Sequence, residues 1–198
     1  MIIFRYIPKK EPYQKLYEYY QQANLKKQSS IDAMVVSSIM KNELSIDSRY
    51  VNLKMVDRGK FIFFSNYKSK KSIQFKSHNE VSLLIYWNKI NVQIRIKGKI
   101  KKTSKNFNQE YFSKRDTSKN ALAISSHQSQ SIHSFKEVKS QYEFSLKNDD
   151  LKKCPNYWGG YFIEPFYFEF WEGHKNRLNK RVEYFLEDAK WRKAFLQP

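Results

Sequence analysis

Asn91-Val92-Gln93-Ile94-Arg95-Ile96-Lys97-Gly98-Lys99-Ile100-Lys101-Lys102-Thr103 is the stretch whose pattern decides the fold class. Val92, Ile94, Ile96 and Ile100 share one parity, and Gln93, Arg95, Lys97 and Lys99 share the other. A period of two is that of a strand with one face in a core and one toward water. Upstream, residues 81–87 form an apolar run ending at Trp87. Residues 60–65 (Lys-Phe-Ile-Phe-Phe-Ser) follow the turn Asp57-Arg58-Gly59, and residues 33–40 are apolar and β-branched. Residues 49–56 alternate again, with Val51, Leu53 and Met55 opposite Tyr50, Asn52 and Lys54. Downstream, 161–171 is an aromatic strand, and 181–187 with 190–196 reads as a hairpin turning at Glu187-Asp188. About seven short strands joined by turns, with no strand–helix–strand alternation, predict an antiparallel barrel or sandwich. Helical spacing of Tyr13, Leu16, Tyr17 and Tyr20 predicts a helix over about 12–27. The polar stretch 105–147 reads as helical, anchored by Tyr111, Phe112, Phe135, Val138 and Tyr142. With no internal repeat and no low-complexity linker, residues 1–198 read as one domain.

Composition narrows the class. Of 198 residues, 40% are hydrophobic and 17% aromatic, which excludes a chain too polar to build a core. A single cysteine, Cys154, excludes an internal disulfide framework. No apolar run reaches the roughly 20 residues needed to span a bilayer, and the N-terminal apolar stretch is broken too early for a signal peptide. The expectation is a soluble, cytoplasmic protein. Against 19 acidic residues stand 37 basic ones, a net charge of +18. Such a charge attracts polyanions, whether nucleic acid or phosphorylated small molecules. Most of the excess is lysine in a chain also rich in Asn, Ile, Tyr and Phe, a composition that biased gene sequence also produces. The eight arginines therefore carry more information than the lysines.

The four histidines, His78, His127, His133 and His174, have no metal-ligand spacing with one another or with Cys154. No phosphate-binding glycine loop and no nucleophile elbow is present. What remains is four cationic clusters at strand ends: Arg49 to Lys54, Ser65 to Lys71, Tyr111 to Arg115 and Trp171 to Arg181. Serines and lysines where a strand gives way to a helix are a common way to hold phosphate. Aromatic residues lie within the clusters, which suits a phosphorylated aromatic ligand and equally a single strand of nucleic acid stacked on rings.

The order and spacing of these segments resemble the pyridoxamine 5′-phosphate oxidase family. Arg49-Tyr50-Val51-Asn52-Leu53-Lys54 matches its R-x-V-x-L-K strand, and Phe63-Phe64-Ser65-Asn66 with Ser69-Lys70-Lys71 matches F-Y-T-N and S-R-K. Gln128-Ser129, Tyr157-Trp158-Gly159-Gly160, Glu169-Phe170-Trp171-Glu172-Gly173 and Arg177-Leu178-x-x-Arg181 complete the likeness, which runs from about residue 12 to the C-terminus. The resemblance implies a mainly β chain with flanking helices, an antiparallel, Greek-key-like split β-barrel that works as a homodimer with FMN at the interface. It implies that Arg49, Ser65, Lys70, Lys71, Gln128 and Ser129 hold the FMN phosphate and ribityl chain. Tyr50, Val51, Asn52, Leu53, Lys54 and Phe64 would border the flavin, and Gln93, Trp171 and Arg181 would complete the site, partly from the second subunit. The substrate phosphate would meet Lys54, Tyr111, Arg115 and Lys119, with Arg177 and Asn179 at the substrate ring. The implied reaction passes a hydride from the C4′ carbon of pyridoxamine or pyridoxine 5′-phosphate to the flavin, and oxygen becomes hydrogen peroxide. The cofactor carries the hard step, so no catalytic triad is needed.

Three substitutions depart from the family pattern. Asn179 stands for a histidine, Lys119 for a serine, and Lys70 for an arginine, which keeps the charge but loses the planar fork. The family's basic N-terminal segment is short or missing. These departures motivate a second reading, a related flavin oxidoreductase with another substrate, as in the family's phenazine-pathway relatives. A non-catalytic flavin-binding or nucleic-acid-binding module is the third, resting on charge alone.

Overall fold

The computed structural model describes residues 1–198. The diagnostic stretch is strand β7 (Val92–Lys102), and its alternation holds: Val92, Ile94, Ile96 and Ile100 are all at most 3% exposed. β7 pairs antiparallel with β6 (Glu80–Trp87) on one side and with β8 (Trp158–Glu172) on the other. The free edge of β8 serves two neighbours. Its first half, Trp158–Ile163, pairs with β5 (Lys60–Asn66), and its second half, Tyr167–Glu172, pairs with β9 (Lys180–Glu187). The divide falls at a bulge, where Lys97 pairs with Tyr167 but Gly98 pairs with Pro165, leaving Phe166 as the extra residue. Proline is tolerated there because a bulge does not use its missing N–H. Gly98 is required by close approach: a Cβ on it would lie 2.7 Å from the Glu164 carbonyl oxygen.

The expectation of one alternating strand over 49–56 needs correction. The segment divides into β3 (Ser45–Asn52) and β4 (Met55–Asp57). The break has a backbone cause: Leu53 N–H donates to Asp32 O (2.8 Å), whereas Lys54 N–H donates to Ile62 O (2.8 Å). Consecutive residues thus bond to separate parts of the sheet, one just before β2 (Ala33–Met40) and one on β5; with β1 at Ile3–Arg5, the strand order is β1-β4-β5-β8-β7-β6-β2-β3. That corner brings the two edges together and curls the sheet into a split barrel. It also moves Arg49 from an expected strand start to mid-strand. β1 (Ile3–Arg5), which the sequence did not signal, adds in parallel to β4. The closing hairpin of β9 and β10 (Lys190–Leu196) turns through Asp188 and Ala189, at φ +47° and +59°, as a two-residue hairpin of the primed type requires.

Helix α1 (Glu11–Leu25) lays Tyr13, Leu16, Tyr20 and Ala23 on the barrel, with Tyr13 edge-on to Phe168 at 5.2 Å and Tyr20 6.1 Å from Trp87. Helix α2 (Lys70–Ser77) follows β5, and the expected helical stretch resolves into α3 (Lys105–Lys114), α4 (Thr117–Ser125) and α5 (Phe135–Asn148). Phe112 is buried as expected, but Phe135 is 73% exposed and anchors nothing within the chain. No helix is long and apolar enough to cross a membrane.

Candidate functional site

Strand β3 lays Arg49 against α2. Its Nη1 donates to Val36 O (3.2 Å) and Ser38 Oγ (2.6 Å), and its Nη2 donates to Gln74 Oε1 (2.8 Å). Ser38 and Gln74 are buried, so neutral acceptors fixed in the core orient the guanidinium. Beside it the end of β5 turns into α2, and Lys71 Nζ donates to Ser65 Oγ (3.1 Å) and Ser69 Oγ (3.3 Å). Lys71 is only 9% exposed and has no carboxylate partner. Desolvation, with the Arg49 charge adding to it, pushes its ammonium down from the usual 10.5 to about 8. Ser65 Oγ also donates to Gln128 Oε1 (3.3 Å). Lys70 is more exposed, and its ammonium pairs with Asp47 (3.1 Å). A buried ammonium, an oriented guanidinium, two hydroxyls and the first turn of a helix form a pocket for an anion supplied from outside.

An open cleft of about 230 Å³ adjoins this pocket, with Phe64, Ser65 and Lys71 at its base and Tyr50, Val51, Asn52 and Lys54 along one side. Tyr111, Arg115, Gln128 and Trp158 form the other side. Phe64 stacks on Tyr111, at 3.7 Å and 14°, and Trp158 lies beside the pair, 5.1 Å from Phe64 at 10°. Two glycines permit that stack. A Cβ at Gly159 would collide with the Asn108 side chain and the Tyr67 hydroxyl, and Gly160 N–H donates to Asn108 Oδ1 (2.9 Å). α3 therefore docks directly on β8, which carries Tyr111 over Phe64. Arg115 lies over the Trp158 ring at 5.1 Å and is held by Lys119 O (2.8 Å) and Asn120 Oδ1 (3.0 Å). Lys119 lines a contiguous cavity of about 240 Å³ that shares Arg115, Phe64 and Gln128. Lys54 is paired with Asp32 (2.8 Å). Leu53 departs from the expectation that its side chain borders this cleft, because the corner turns it into the core at 1% exposure. Ser129, at φ +74°, lines a neighbouring cavity with Gln128 rather than this one.

A second group of expected residues lies elsewhere in the chain. Gln93, Trp171 and Arg181 form one row across β7, β8 and β9. Arg181 donates through Nε (3.0 Å) and Nη2 (2.8 Å) to Glu169 Oε1, and Arg95 Nη1 donates to Glu169 Oε2 (2.8 Å). Glu169 is 2% exposed, a buried carboxylate between two guanidinium groups. Arg177 sits in the exposed loop before β9 at φ +62°, and its guanidinium makes no hydrogen bond or ion pair. Asn179 Oδ1 accepts from His174 N–H (3.0 Å) and so is used to shape that loop. None of these five lines the cleft.

Residues 22–143 match the family described as pyridoxamine 5′-phosphate oxidase, and residues 158–198 match its pyridoxine 5′-phosphate oxidase C-terminal dimerisation region. The chain belongs to the pyridoxamine 5′-phosphate oxidase family. Members of this oxidase family are FMN-dependent oxidoreductases. A pyridoxine/pyridoxamine 5′-phosphate oxidase of Vesicomyosocius okutanii is 39% identical over 168 residues, 84% of this chain and 78% of that protein. One from Hydrogenovibrio crunogenus is 34% identical over 193 residues, 95% of this chain and 88% of that protein. Among solved structures, PhzG of Burkholderia lata in complex with tetrahydrophenazine-1-carboxylic acid superimposes with a TM-score of 0.90, at 24% identity over 96% of this chain and 94% of that one. A pyridoxamine 5′-phosphate oxidase-related, FMN-binding protein of Nostoc punctiforme gives a TM-score of 0.76 at 10% identity, covering 94% of this chain and 97% of that one. Both share the split-barrel fold.

Within this oxidase-family chain, sequence reasoning overlooked the cation-holding roles of Ser38, Gln74, Asp47, Asp32 and Glu169, the last of them quoted only as part of a motif. Gln74 carried a weak signal, since it lies one helical turn after Lys70 and thus on the same face. Trp158 was noticed as part of a motif, but its role as a wall of the cleft follows only from the docking of α3. Cys154 is half-buried, and burial pushes its thiol up to about 11, which disfavours the thiolate.

Proposed function

We propose that the chain is an oxidase of pyridoxamine or pyridoxine 5′-phosphate that holds FMN between the subunits of a homodimer, gives pyridoxal 5′-phosphate and passes the electrons to oxygen as hydrogen peroxide. One observation carries the reading: Lys54, Lys71 and Arg115 line a single cleft walled by the rings of Tyr50, Phe64, Tyr111 and Trp158, with Arg49 beside Lys71, which fits two phosphorylated ring ligands lying side by side. The fit to FMN rests on Lys71. A buried ammonium supplied with hydroxyls but no carboxylate suits a phosphate dianion. Arg49, Ser65, Lys70, Lys71, Gln128 and Ser129 would hold the phosphate and ribityl chain, and Phe64 with residues 50–52 and 54 would border the ring system. When bound, FMN supplies the hydride acceptor. The protein's part is to hold the substrate phosphate on Arg115, Lys54 and Lys119, to stack its ring in the cleft, and to exclude water.

Gln93, Trp171, Arg177, Asn179 and Arg181 belong to the same site under this reading but come from the partner. Their distance from the cleft in one chain, and the position of the last four inside the matched dimerisation region, support that assignment. The ten-stranded sheet runs through both matched regions, which supports one domain over 1–198. A related oxidoreductase with another substrate is the second reading, favoured by Asn179, whose amide is engaged within its own loop, and by Lys119 in the substrate cavity.

Incubation of the FMN-loaded protein with pyridoxine 5′-phosphate and oxygen tests the proposal. Pyridoxal 5′-phosphate and peroxide in equal amounts are expected; flavin bound with neither product formed would move the assignment to the second reading. Arg177→Ala is expected to lower turnover on the order of 100-fold while FMN stays bound, because the residue orients substrate rather than cofactor. Unchanged kinetics would remove it from the site. FMN affinity is also expected to depend on pH. Lys71 must be charged to pair with phosphate, and its depressed value means that the free protein loses that charge as pH rises through about 8. Binding should therefore be nearly constant from about pH 7, where the phosphate is a dianion, up to that value and weaken above it, by up to about tenfold per pH unit. Fluorescence titrations at pH 7 and 9 that give one affinity would show that Lys71 does not meet the phosphate.

A further inference from the structure

Asp47 stands where an anionic ligand is expected. It precedes Arg49 by two residues on β3, so both side chains leave the strand on one face. Its Oδ2 lies 3.1 Å from Lys70 Nζ and 3.7 Å from Arg49 Nη2. Gln74 Nε2 donates to the same oxygen at 2.7 Å, while Gln74 Oε1 accepts from Arg49 at 2.8 Å. One carboxylate oxygen thus gathers a lysine, an arginine and an amide donor, as an oxygen of a phosphate monoester would.

We propose that Asp47 is a built-in competitor for the cofactor phosphate, a carboxylate that occupies Lys70 and shades Arg49 and so loosens the chain's hold on FMN. The inference rests on the flavin reading above and adds a residue that sets cofactor retention. The alternative role, an acid that positions the cations, is disfavoured by the other contacts. Arg49 keeps Val36 O, Ser38 Oγ and Gln74 Oε1 without Asp47, and Lys71 keeps its two serines. Only Lys70 depends on Asp47, and that lysine cannot give the same ammonium fully to two anions. The carboxylate is also not displaced freely, because Gln74 is buried and holds it in place. Its charge remains beside the site when a dianion arrives, and like charges at this range repel, more so at low salt.

The test is a pair of flavin titrations on the whole protein, wild type against Asp47→Asn and Asp47→Ser, read by quenching of flavin fluorescence. FMN is one probe and riboflavin, which lacks the phosphate, is the other. Removal of one exposed charge pair is expected to tighten FMN about three- to fivefold and to leave riboflavin unchanged. The gain should shrink in 1 M salt, where the screening length is about 3 Å. Equal or weaker FMN binding in both variants would overturn the proposal and make Asp47 a spectator or a positioning residue. A gain shared by riboflavin would overturn it as well, since the effect would not act through phosphate. Wild-type protein that quenches neither flavin would reject the flavin reading itself, and the competitor role with it. Thermal melts of the flavin-free variants check that both are folded.

Discussion

Arg49→Ala is expected to weaken FMN binding by about 30- to 150-fold, the equivalent of about 2–3 kcal/mol for one charge-assisted contact to phosphate. The effect should appear in affinity rather than in stability. Ser38 Oγ already donates to Gln74 Oε1 at 2.7 Å, so these two acceptors keep each other when the guanidinium is gone. Arg49→Lys should recover part of the loss, because charge returns without the fork that spans Val36, Ser38 and Gln74. Fluorescence titration measures both variants, and an alanine variant that keeps full affinity would take Arg49 out of the cofactor site.

Glu169→Ala is expected to act on stability instead. Its carboxylate, on a residue only 2% exposed, neutralises Arg95 and Arg181 at 2.8 Å each and accepts from the Tyr167 hydroxyl at 3.1 Å. Removal leaves two guanidinium groups side by side, but the Arg95 and Arg181 side chains are 44% and 27% exposed, so water screens them and the cost falls to about 1–2 kcal/mol. For a chain of this length that lowers the melting temperature by roughly 2–8 °C. A melt displaced by less than about 2 °C would show that water reaches the arginines without the carboxylate. The same variant releases Arg181 from a fixed orientation, so loss of cofactor affinity alongside the melt connects the cluster to the site.

How much of this was legible in the sequence follows from the range of each interaction. The periods of Val92 to Ile100 and of Tyr13 to Tyr20 are local facts of covalent geometry, and they survive folding intact. The alternation of Val51, Leu53 and Met55 is equally local, yet it misleads. The hydrogen bonds that break the strand at Leu53 and Lys54 come from Asp32 and Ile62, and no period within 49–56 reports them. Phe135 fails as an anchor for a similar reason: its helical pattern is sound, and Val138 and Tyr142 on that face are half-buried, but the cover stops short of Phe135 itself.

The site divides along the same line. Sequence by itself named the cations and the aromatics, because residue type dictates what can bind phosphate and what can stack on a ring. It also placed Ser65, Ser69, Lys70 and Lys71 together, since a strand-to-helix turn fits within a few residues. Only the tertiary structure decided which of those cations are free. Lys71 is buried without a counter-ion, Lys70 is held by Asp47, and Arg181 is committed to Glu169. The physical reason is that a side chain's chemistry belongs to the residue, while its available charge depends on burial and on partners that the chain brings from 12 to 23 positions away.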